Sequence, residues 1–310
     1  MAESSASSYH EPVMVREVLE YLAPERGGVY LDGTVGGGGH AEAILEAGAS
    51  ARLVGVDRDT QALEVARRRL ERFGDRVELI EGDFADVAER TTVGLAGALM
   101  DLGVSSRQLD EVDRGFSFRP GTPLDMWMAG GASGGETAAD LLNHAAESEL
   151  ARVFRDYGEE RHARRLARVV VERRRERPFA VSDDLVSAIR RVLGPRMDAQ
   201  DKARLFQAVR IAVNDELSSI ERGLPAIRER LEPGGVVVVI AYHSLEDRLV
   251  KLAFREWSRK CVCPPELPVC QCRGRALGRT LTKRPVFASE SEVERNARAR
   301  SARLRAWRKD

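Results

Sequence analysis

Short apolar runs alternate with helical patterns in the first third of the chain. The apolar runs cover residues 29–31, 53–56, 77–80 and 96–100, and apolar residues recur at helical spacing between them. Strands that alternate with helices predict a parallel sheet with helices on both faces.

This alternation stops after residue 100. From about residue 136 to residue 217 only helical patterns occur, and a buried strand follows at residues 234–240. We therefore predict an α/β core formed by residues 9–110 and 215–310, with an all-helical domain inserted at residues 111–214. Residues 1–8 are predicted to be a disordered tail. Near the end of the chain we expect a late strand at residues 283–288, and then a basic helix that Ser289 opens.

A glycine-rich loop follows the first predicted strand. Asp32 precedes the run Gly36–Gly39, His40 opens a helical pattern, and the second predicted strand ends at Asp57. Glycine lets a backbone approach a ligand closely, and the helix start offers free N–H groups. An acidic residue roughly 20 positions beyond the glycines suits a ribose diol. The alternative is a tight turn that binds nothing.

The loop differs from the G-x-G-x-x-G pattern of dinucleotide sites. A carboxylate at Asp32 is poorly placed for a pyrophosphate but suits a cationic amino-acid group. The loop therefore favours S-adenosylmethionine over NAD as the cofactor.

Acidic residues also mark the ends of the other predicted strands. Asp83 follows the third strand, and Asp101 ends the fourth. Because parallel strands present their carboxyl ends at one edge, we expect Asp32, Asp57, Asp83 and Asp101 to converge there.

Charge is balanced over the whole chain but not along it. The net charge is zero, yet residues 273–310 contain 12 Lys and Arg against 4 Asp and Glu, and residues 161–177 are also basic. Local basic surface suggests an anionic partner such as nucleic acid, and the alternative is a solvated helix face. The absence of an apolar run of ~18 residues predicts a cytoplasmic protein without a membrane partner.

The four cysteines fall in one short segment as two close pairs, Cys261 with Cys263 and Cys270 with Cys272. Two such pairs could hold zinc tetrahedrally, although C-x-x-C pairs are the commoner form. Reduced thiols that bind nothing are the other interpretation. We expect no metal in the reaction itself.

Three long motifs resemble the RsmH (MraW) family, the bacterial ribosomal RNA small-subunit methyltransferases H. They are Asp32-Gly-Thr-x-Gly-x-Gly-Gly-His40, Asp101-Leu-Gly-Val-Ser-Ser-x-Gln108-Leu-Asp and Tyr242-His243-Ser-Leu-Glu-Asp-Arg. Shorter matches extend the resemblance over nearly the whole chain. One departure is Trp127, where the family pattern leads us to expect arginine.

The resemblance implies a Rossmann-like class I methyltransferase core that uses S-adenosylmethionine. It also implies N4-methylation of a cytidine in the decoding region of 16S rRNA, in the small ribosomal subunit. Loop chemistry and resemblance together give one set of candidate donor-binding residues: Asp32, Gly36, Gly38, Gly39, His40, Asp57, Phe84, Asp101 and Gln108.

The target amine needs a hydrogen-bond acceptor, and the candidate catalytic residues are Asp101, Asn214 and His243. Their alternative roles are donor binding, helix packing and positioning of a neighbour, respectively. We also expect Phe116 and Phe118 to be available for stacking on an extruded base. Rival functions are a non-catalytic RNA-binding assembly factor, an NAD-dependent enzyme, or a methyltransferase for DNA or protein. The sequence leaves the oligomeric state open between monomer and homodimer.

Overall fold

The computed structural model describes residues 12–129, 134–264, 269 and 271–310. The chain divides into two compact units, one formed by Met1–Gly103 with Leu217–Asp310 and the other by Val104–Glu216. The predicted insert, residues 111–214, thus begins later and ends slightly earlier than the second compact unit. We call the first the sheet unit and the second the helical unit.

The sheet unit is built on seven strands in the order β3-β2-β1-β4-β5-β7-β6. The first five strands are parallel, whereas β7 runs antiparallel to both β5 and β6. The predicted α/β fold is confirmed. The strands are β1 (Gly28–Asp32), β2 (Ala51–Asp57), β3 (Val77–Glu81), β4 (Leu95–Asp101), β5 (Leu231–Ala241), β6 (Gly278–Thr280) and β7 (Arg303–Lys309).

Thirteen α-helices occur in the described part of the chain, and within that part none is long and apolar enough to cross a membrane. In the sheet unit they are α1 (Val15–Leu22), α2 (Gly39–Ala47), α3 (Thr60–Leu70), α4 (Phe84–Arg90), α11 (Glu216–Arg230), α12 (Ser244–Trp257) and α13 (Glu290–Arg295), with Glu216 of α11 assigned to the helical unit. In the helical unit they are α5 (Ser106–Asp110), α6 (Ala138–His144), α7 (Glu147–Arg152), α8 (Ala163–Glu176), α9 (Ser182–Leu193) and α10 (Ala199–Asn214).

Both faces of the sheet are buried, and β5 shows why its sequence is a continuous apolar run. Val236 and Val238 belong to the core that includes residues of α1, α2 and α3. Val237 and Val239 belong to the opposite core, with residues of α4, α11 and α12. Successive side chains of a strand point to opposite faces, so a strand covered on both sides must be apolar throughout.

The helical unit has an apolar core of its own. Leu150, Phe154, Leu166, Leu185 and Leu205, from α7, the turn after it, α8, α9 and α10, are all buried in one cluster. A separate core is what allows a segment of this length to fold as a unit.

The prediction of a basic helix at the C-terminal end of the chain is wrong. Ser289 does cap a helix, since its Oγ accepts a hydrogen bond from Glu292 N, but α13 ends at Arg295. Residues 303–309 then form β7, in which Leu304 and Trp307 are buried in the two opposite cores. The predicted strand at residues 283–288 is reduced to one isolated bridge from Val286 to Leu304. Residues 303–309 form a strand because they pair with β5, although their basic composition had suggested a helix.

Candidate functional site

The chain reverses its direction of winding between β1 and β4. Strand β1 pairs with β2 on one side and with β4 on the other, so the connections leave the carboxyl ends in opposite directions. A crevice forms at such a point, and ligands of open α/β sheets bind there. Asp32, Asp57 and Asp101 are the last residues of β1, β2 and β4.

Asp32 lies at the base of this edge, with 1% of its surface exposed. Its Oδ1 accepts a hydrogen bond from Thr34 N at 3.2 Å. Its Oδ2 is buried and has no hydrogen-bond partner among the described residues. A buried carboxylate oxygen without a donor is costly, and a bound cation would supply what this atom lacks.

Asp101 is held by side chains from three other segments. Tyr242 donates its hydroxyl to Asp101 Oδ1 at 2.8 Å, and His40 Nδ1 lies 3.8 Å from Asp101 Oδ2. His40 Nε2 is 2.8 Å from Val13 O, which fixes the ring. The backbone N–H of Asp101 donates to Thr34 Oγ1. Tyr242 was not predicted as a site residue, although its place directly after β5 was the available signal.

Asp57 organises the glycine loop. Its Oδ2 accepts from Gly36 N and its Oδ1 from Asp59 N, both at 2.8 Å. Gly36 has a φ of 50°, and a Cβ there would meet Thr34 O at 3.9 Å, an ordinary van der Waals contact. The other two predicted glycines face protein, because a Cβ at Gly38 would contact α3 and one at Gly39 would touch Pro12.

The fourth strand-end carboxylate is already neutralised. Asp83 forms a close ion pair with Arg58, accepts from Ser219 Oγ at 2.7 Å, and caps α4. Phe84, the first residue of α4, is 8% exposed, and its ring lies directly against Gly223 of α11. The ring therefore has a packing role, and donor contact by Phe84 stays a prediction.

Burial dominates the protonation of the three remaining carboxylates. It raises the pKa of Asp32 to about 7, opposed by His40 and Thr34 N and reinforced by Asp101 and Asp57. It raises the pKa of Asp57 to about 6, opposed by backbone N–H groups. The pKa of Asp101 is also raised by burial, against the effect of His40 and Tyr242. The protein therefore offsets the negative charge of these three carboxylates only in part, and a nearby positive charge would stabilise their ionised forms.

His243 lies at the start of α12 with its ring beside Glu246. Its Nδ1 accepts from Glu246 N at 3.4 Å. Its buried Nε2 lies 3.1 Å from Glu246 Oε1 but forms no hydrogen bond among the described residues. Glu246 Oε2 in turn accepts from the backbone N–H groups of Tyr242 and His243. His243 thus caps the helix and positions Tyr242, and a direct catalytic role for it stays a prediction.

Gln108 and Asn214 belong to the helical unit, where both hold Met128. Gln108 donates from Nε2 to Met128 O and closes a capping box with Ser105. Asn214 Oδ1 accepts from Met128 N at 2.8 Å, and its Nδ2 donates to Met126 O at 2.7 Å. These contacts give both side chains a structural task, and their predicted roles toward donor and substrate stay predictions.

Asp32, Asp57 and Asp101 form what we call the carboxylate edge, and this edge suits a cofactor that carries positive charge. S-adenosylmethionine has a sulfonium and an ammonium, and Asp32 Oδ2 offers a buried acceptor without a partner among the described residues. Asp57 and Asp101 are only partly buried, so their carboxylates are within reach of a ligand at the rim. By contrast, a pyrophosphate beside these carboxylates would be repelled.

We expect Asp32→Asn to change how stability depends on pH. Because burial raises the folded-state pKa of Asp32 to about 7 from 3.8, the unfolded chain loses this proton first as pH rises. The free energy of unfolding therefore falls between pH 4 and pH 7, by up to ~4 kcal/mol at about 1.4 kcal/mol per pKa unit. Asparagine has no proton to lose there, so the variant should lack the contribution of Asp32, whereas the raised pKa values of Asp57 and Asp101 still contribute a smaller decline.

Urea unfolding of the ligand-free protein across this pH range is the measurement. Asp75→Asn, which alters an exposed carboxylate, is the matched control and should follow the wild type. Parallel curves for wild type and Asp32→Asn would mean that Asp32 does not carry the pH dependence.

Comparison with known proteins agrees with the motifs. A family model described as the MraW methylase family matches residues 7–310. The chain is 54% identical over 307 residues to the ribosomal RNA small subunit methyltransferase H of Gemmatimonas aurantiaca, with 97% of this chain and 95% of the relative covered. It is 52% identical over 309 residues to the protein of the same name from Geobacter sulfurreducens, with 97% and 98% covered.

These matches extend over both units of the fold rather than over the sheet alone. S-adenosylmethionine, the cofactor predicted from the loop, is the methyl donor of this family. The chain belongs to the MraW methylase family.

Proposed function

We propose that this protein transfers a methyl group from S-adenosylmethionine to the N4 amine of a cytidine in the decoding region of 16S rRNA. The observation that carries the proposal is the edge formed by Asp32, Asp57 and Asp101. There Asp32 Oδ2 has no hydrogen-bond partner among the described residues, and burial raises the pKa of Asp32 to about 7. This edge lies in a chain whose relatives of about 50% identity are named for methylation of small-subunit ribosomal RNA.

Different residues of the carboxylate edge bind different parts of the donor. Asp32 and Asp101 offer negative charge to the cationic end of the donor, and Asp57 offers acceptors to its ribose hydroxyls. Gly36, where even a Cβ would make only an ordinary contact with Thr34 O, leaves room at the loop for a ligand. When bound, the donor supplies an electrophilic methyl group on a positively charged sulfur.

The cytosine amine is a weak nucleophile because its lone pair is delocalised into the ring. Catalysis therefore depends on alignment and on acceptors for the amine N–H groups. Asp101 is our first candidate for an acceptor, since it is partly exposed and its Oδ1 is fixed by Tyr242. Asn214 is a weaker candidate, because its polar atoms already bind Met126 and Met128. His243 uses Nδ1 to accept from Glu246 N, but its buried Nε2 has no hydrogen-bond partner among the described residues, so His243 stays a candidate.

We further propose that the helical unit recognises RNA. Only part of the basic run on α8 is available for this, because Arg173 pairs with Asp184 and Arg174 donates to Leu142 O and Ala145 O. Arg164 and Arg165 are exposed on the same helix. Exposed arginines suit phosphate binding that depends strongly on salt.

The aromatic residues predicted for base stacking have less freedom than we expected. Phe116 and Phe118 are partly buried against the core of the helical unit, and Phe118 meets Phe206 edge to face at 5.9 Å. Lys202 also lies over the ring of Phe118. Stacking of these rings on an extruded base stays a prediction.

We expect Asp57→Ala to weaken donor binding by about 1.5–3 kcal/mol, the usual effect of losing a charged acceptor. Calorimetry with S-adenosylhomocysteine is the measurement. Because the change also frees Gly36 N and Asp59 N, a loss of affinity alone does not identify a ribose contact.

Analogues that lack the 2′- or 3′-hydroxyl resolve this ambiguity. The wild type should lose affinity for the deoxy analogues, whereas Asp57→Ala should bind them as well as the parent compound. Equal losses in both proteins would place the ribose away from Asp57.

We expect 16S rRNA from cells that lack this protein to have lost N4-methylation of one cytidine in the decoding region. Mass spectrometry of rRNA fragments measures this, and the wild-type gene should restore the modification. Asp101→Asn should not restore it, because an amide offers one acceptor where the carboxylate offers two. Arg90→Gln, which alters an exposed side chain of α4, is the control and should restore it.

Unchanged rRNA methylation in the deleted strain would refute the proposed substrate. RNA binding by the purified protein without transfer from tritiated donor would favour the assembly-factor alternative.

A further inference from the structure

Three cysteines outside the donor site converge in the segment that follows α12. The Sγ atoms of Cys261, Cys263 and Cys272 all lie within 4.8 Å of one another. Cys261 is exposed, and Cys263 and Cys272 are partly exposed. Cys270, the fourth member of the two pairs seen in the sequence, lies outside the described residues.

The separation of the sulfurs is compatible with shared binding of one metal ion. Cys272 Sγ donates a hydrogen bond to Cys261 Sγ over 3.8 Å. A disulfide requires about 2.0 Å between its sulfurs. Two thiolates that bind zinc tetrahedrally with Zn–S bonds of about 2.3 Å must lie about 3.8 Å apart. The observed distance agrees with the second arrangement and is too long for the first.

Backbone hydrogen bonds link the two halves of the cluster reciprocally. Val262 N, between Cys261 and Cys263, donates to Cys272 Sγ at 3.3 Å. Gln271 N, which precedes Cys272, donates to Cys263 Sγ, also at 3.3 Å. Outer contacts of this kind orient the ligands of a metal site.

The surrounding chain keeps the cluster in place. Arg273 donates to Glu256 Oε1 and to the backbone oxygen of Glu256, and Leu277 N donates to Trp257 O. Both ends of the segment are thereby tied to the end of α12. The exposure of the cluster gives a metal ion direct access.

We propose that Cys261, Cys263 and Cys272 are three ligands of a structural zinc ion. Each thiol loses its proton when zinc binds, and no oxidation or reduction takes place. The fourth tetrahedral position is filled by a ligand from outside this trio. The ion fixes the segment between α12 and β6, a task that the exposed thiols alone do not perform. The site is separate from the carboxylate edge and takes no part in methyl transfer.

Metal titration of the full-length protein tests the proposal. After removal of metal by a chelator under reducing conditions, the wild type should take up one zinc per chain, measured by native mass spectrometry. Cobalt should replace zinc and produce the thiolate-to-metal charge-transfer band and visible bands of a tetrahedral thiolate site. Zinc should also raise the melting temperature.

Cys261→Ser and Cys272→Ser should each abolish the charge-transfer spectrum or lower zinc affinity by at least tenfold. Val269→Ser, which changes a 68% exposed residue of the same segment, is the control and should bind zinc as the wild type does. If a cysteine variant does not fold, the cobalt spectrum of the wild type still decides the question. Absence of stoichiometric zinc in the reduced wild type, or full zinc binding in both cysteine variants, would overturn the proposal.

Discussion

Three carboxylates at neighbouring strand ends constrain this fold more than any other feature. Parallel pairing brings Asp32, Asp57 and Asp101 to one edge of the sheet, and burial makes their charge costly there. The protein offsets part of that cost with the hydroxyl of Tyr242, the ring of His40 and backbone N–H groups from the glycine loop. We propose that a cationic cofactor offsets the rest of that cost.

The same constraint explains the segments that meet at this edge. The glycine loop must turn tightly enough for Gly36 N to reach Asp57. Val13 O must meet His40 Nε2, which requires the segment before α1 to pass beside α2. Glu246 must fix the backbone at Tyr242 so that its hydroxyl reaches Asp101. Each of these contacts serves the orientation of a carboxylate.

Sequence patterns predicted the features that depend on local periodicity and missed those that depend on distant partners. Apolar runs located the five parallel strands, since a strand buried on both faces has little freedom in composition. We predicted a helix in place of β7, because a strand with this many basic residues does not show the apolar run that marks a buried strand. Its pairing with β5 is a contact between distant parts of the chain. Ser244 with Asp247 also resembles a capping box, yet His243 caps α12 and Asp247 pairs with Arg305.

The candidate site divides in the same way. The pattern of acidic residues at strand ends singled out Asp32, Asp57, Asp83 and Asp101. The structure gives Asp83 an ion pair with Arg58, and the binding roles of the other three stay predictions. By contrast, Gln108 and Asn214 entered through family resemblance or as polar candidates, and the structure gives each a task in holding Met128. The pairing of Asp83 with Arg58 and Ser219 depends on residues far apart in the chain, so no local pattern could reveal it.

Proton release on donor binding tests the central claim most directly. If Asp32 and Asp101 bind the cationic end of S-adenosylmethionine and Asp57 accepts from its ribose hydroxyls, binding must lower the raised pKa values of Asp32 and Asp57 and expel protons near pH 6.5. Calorimetry in buffers of different ionisation enthalpy measures this number. The account predicts net release at pH 6.5 that disappears by pH 8.5 and is smaller for S-adenosylhomocysteine, which lacks the sulfonium charge. Binding without proton release, or with proton uptake, at pH 6.5 would contradict it.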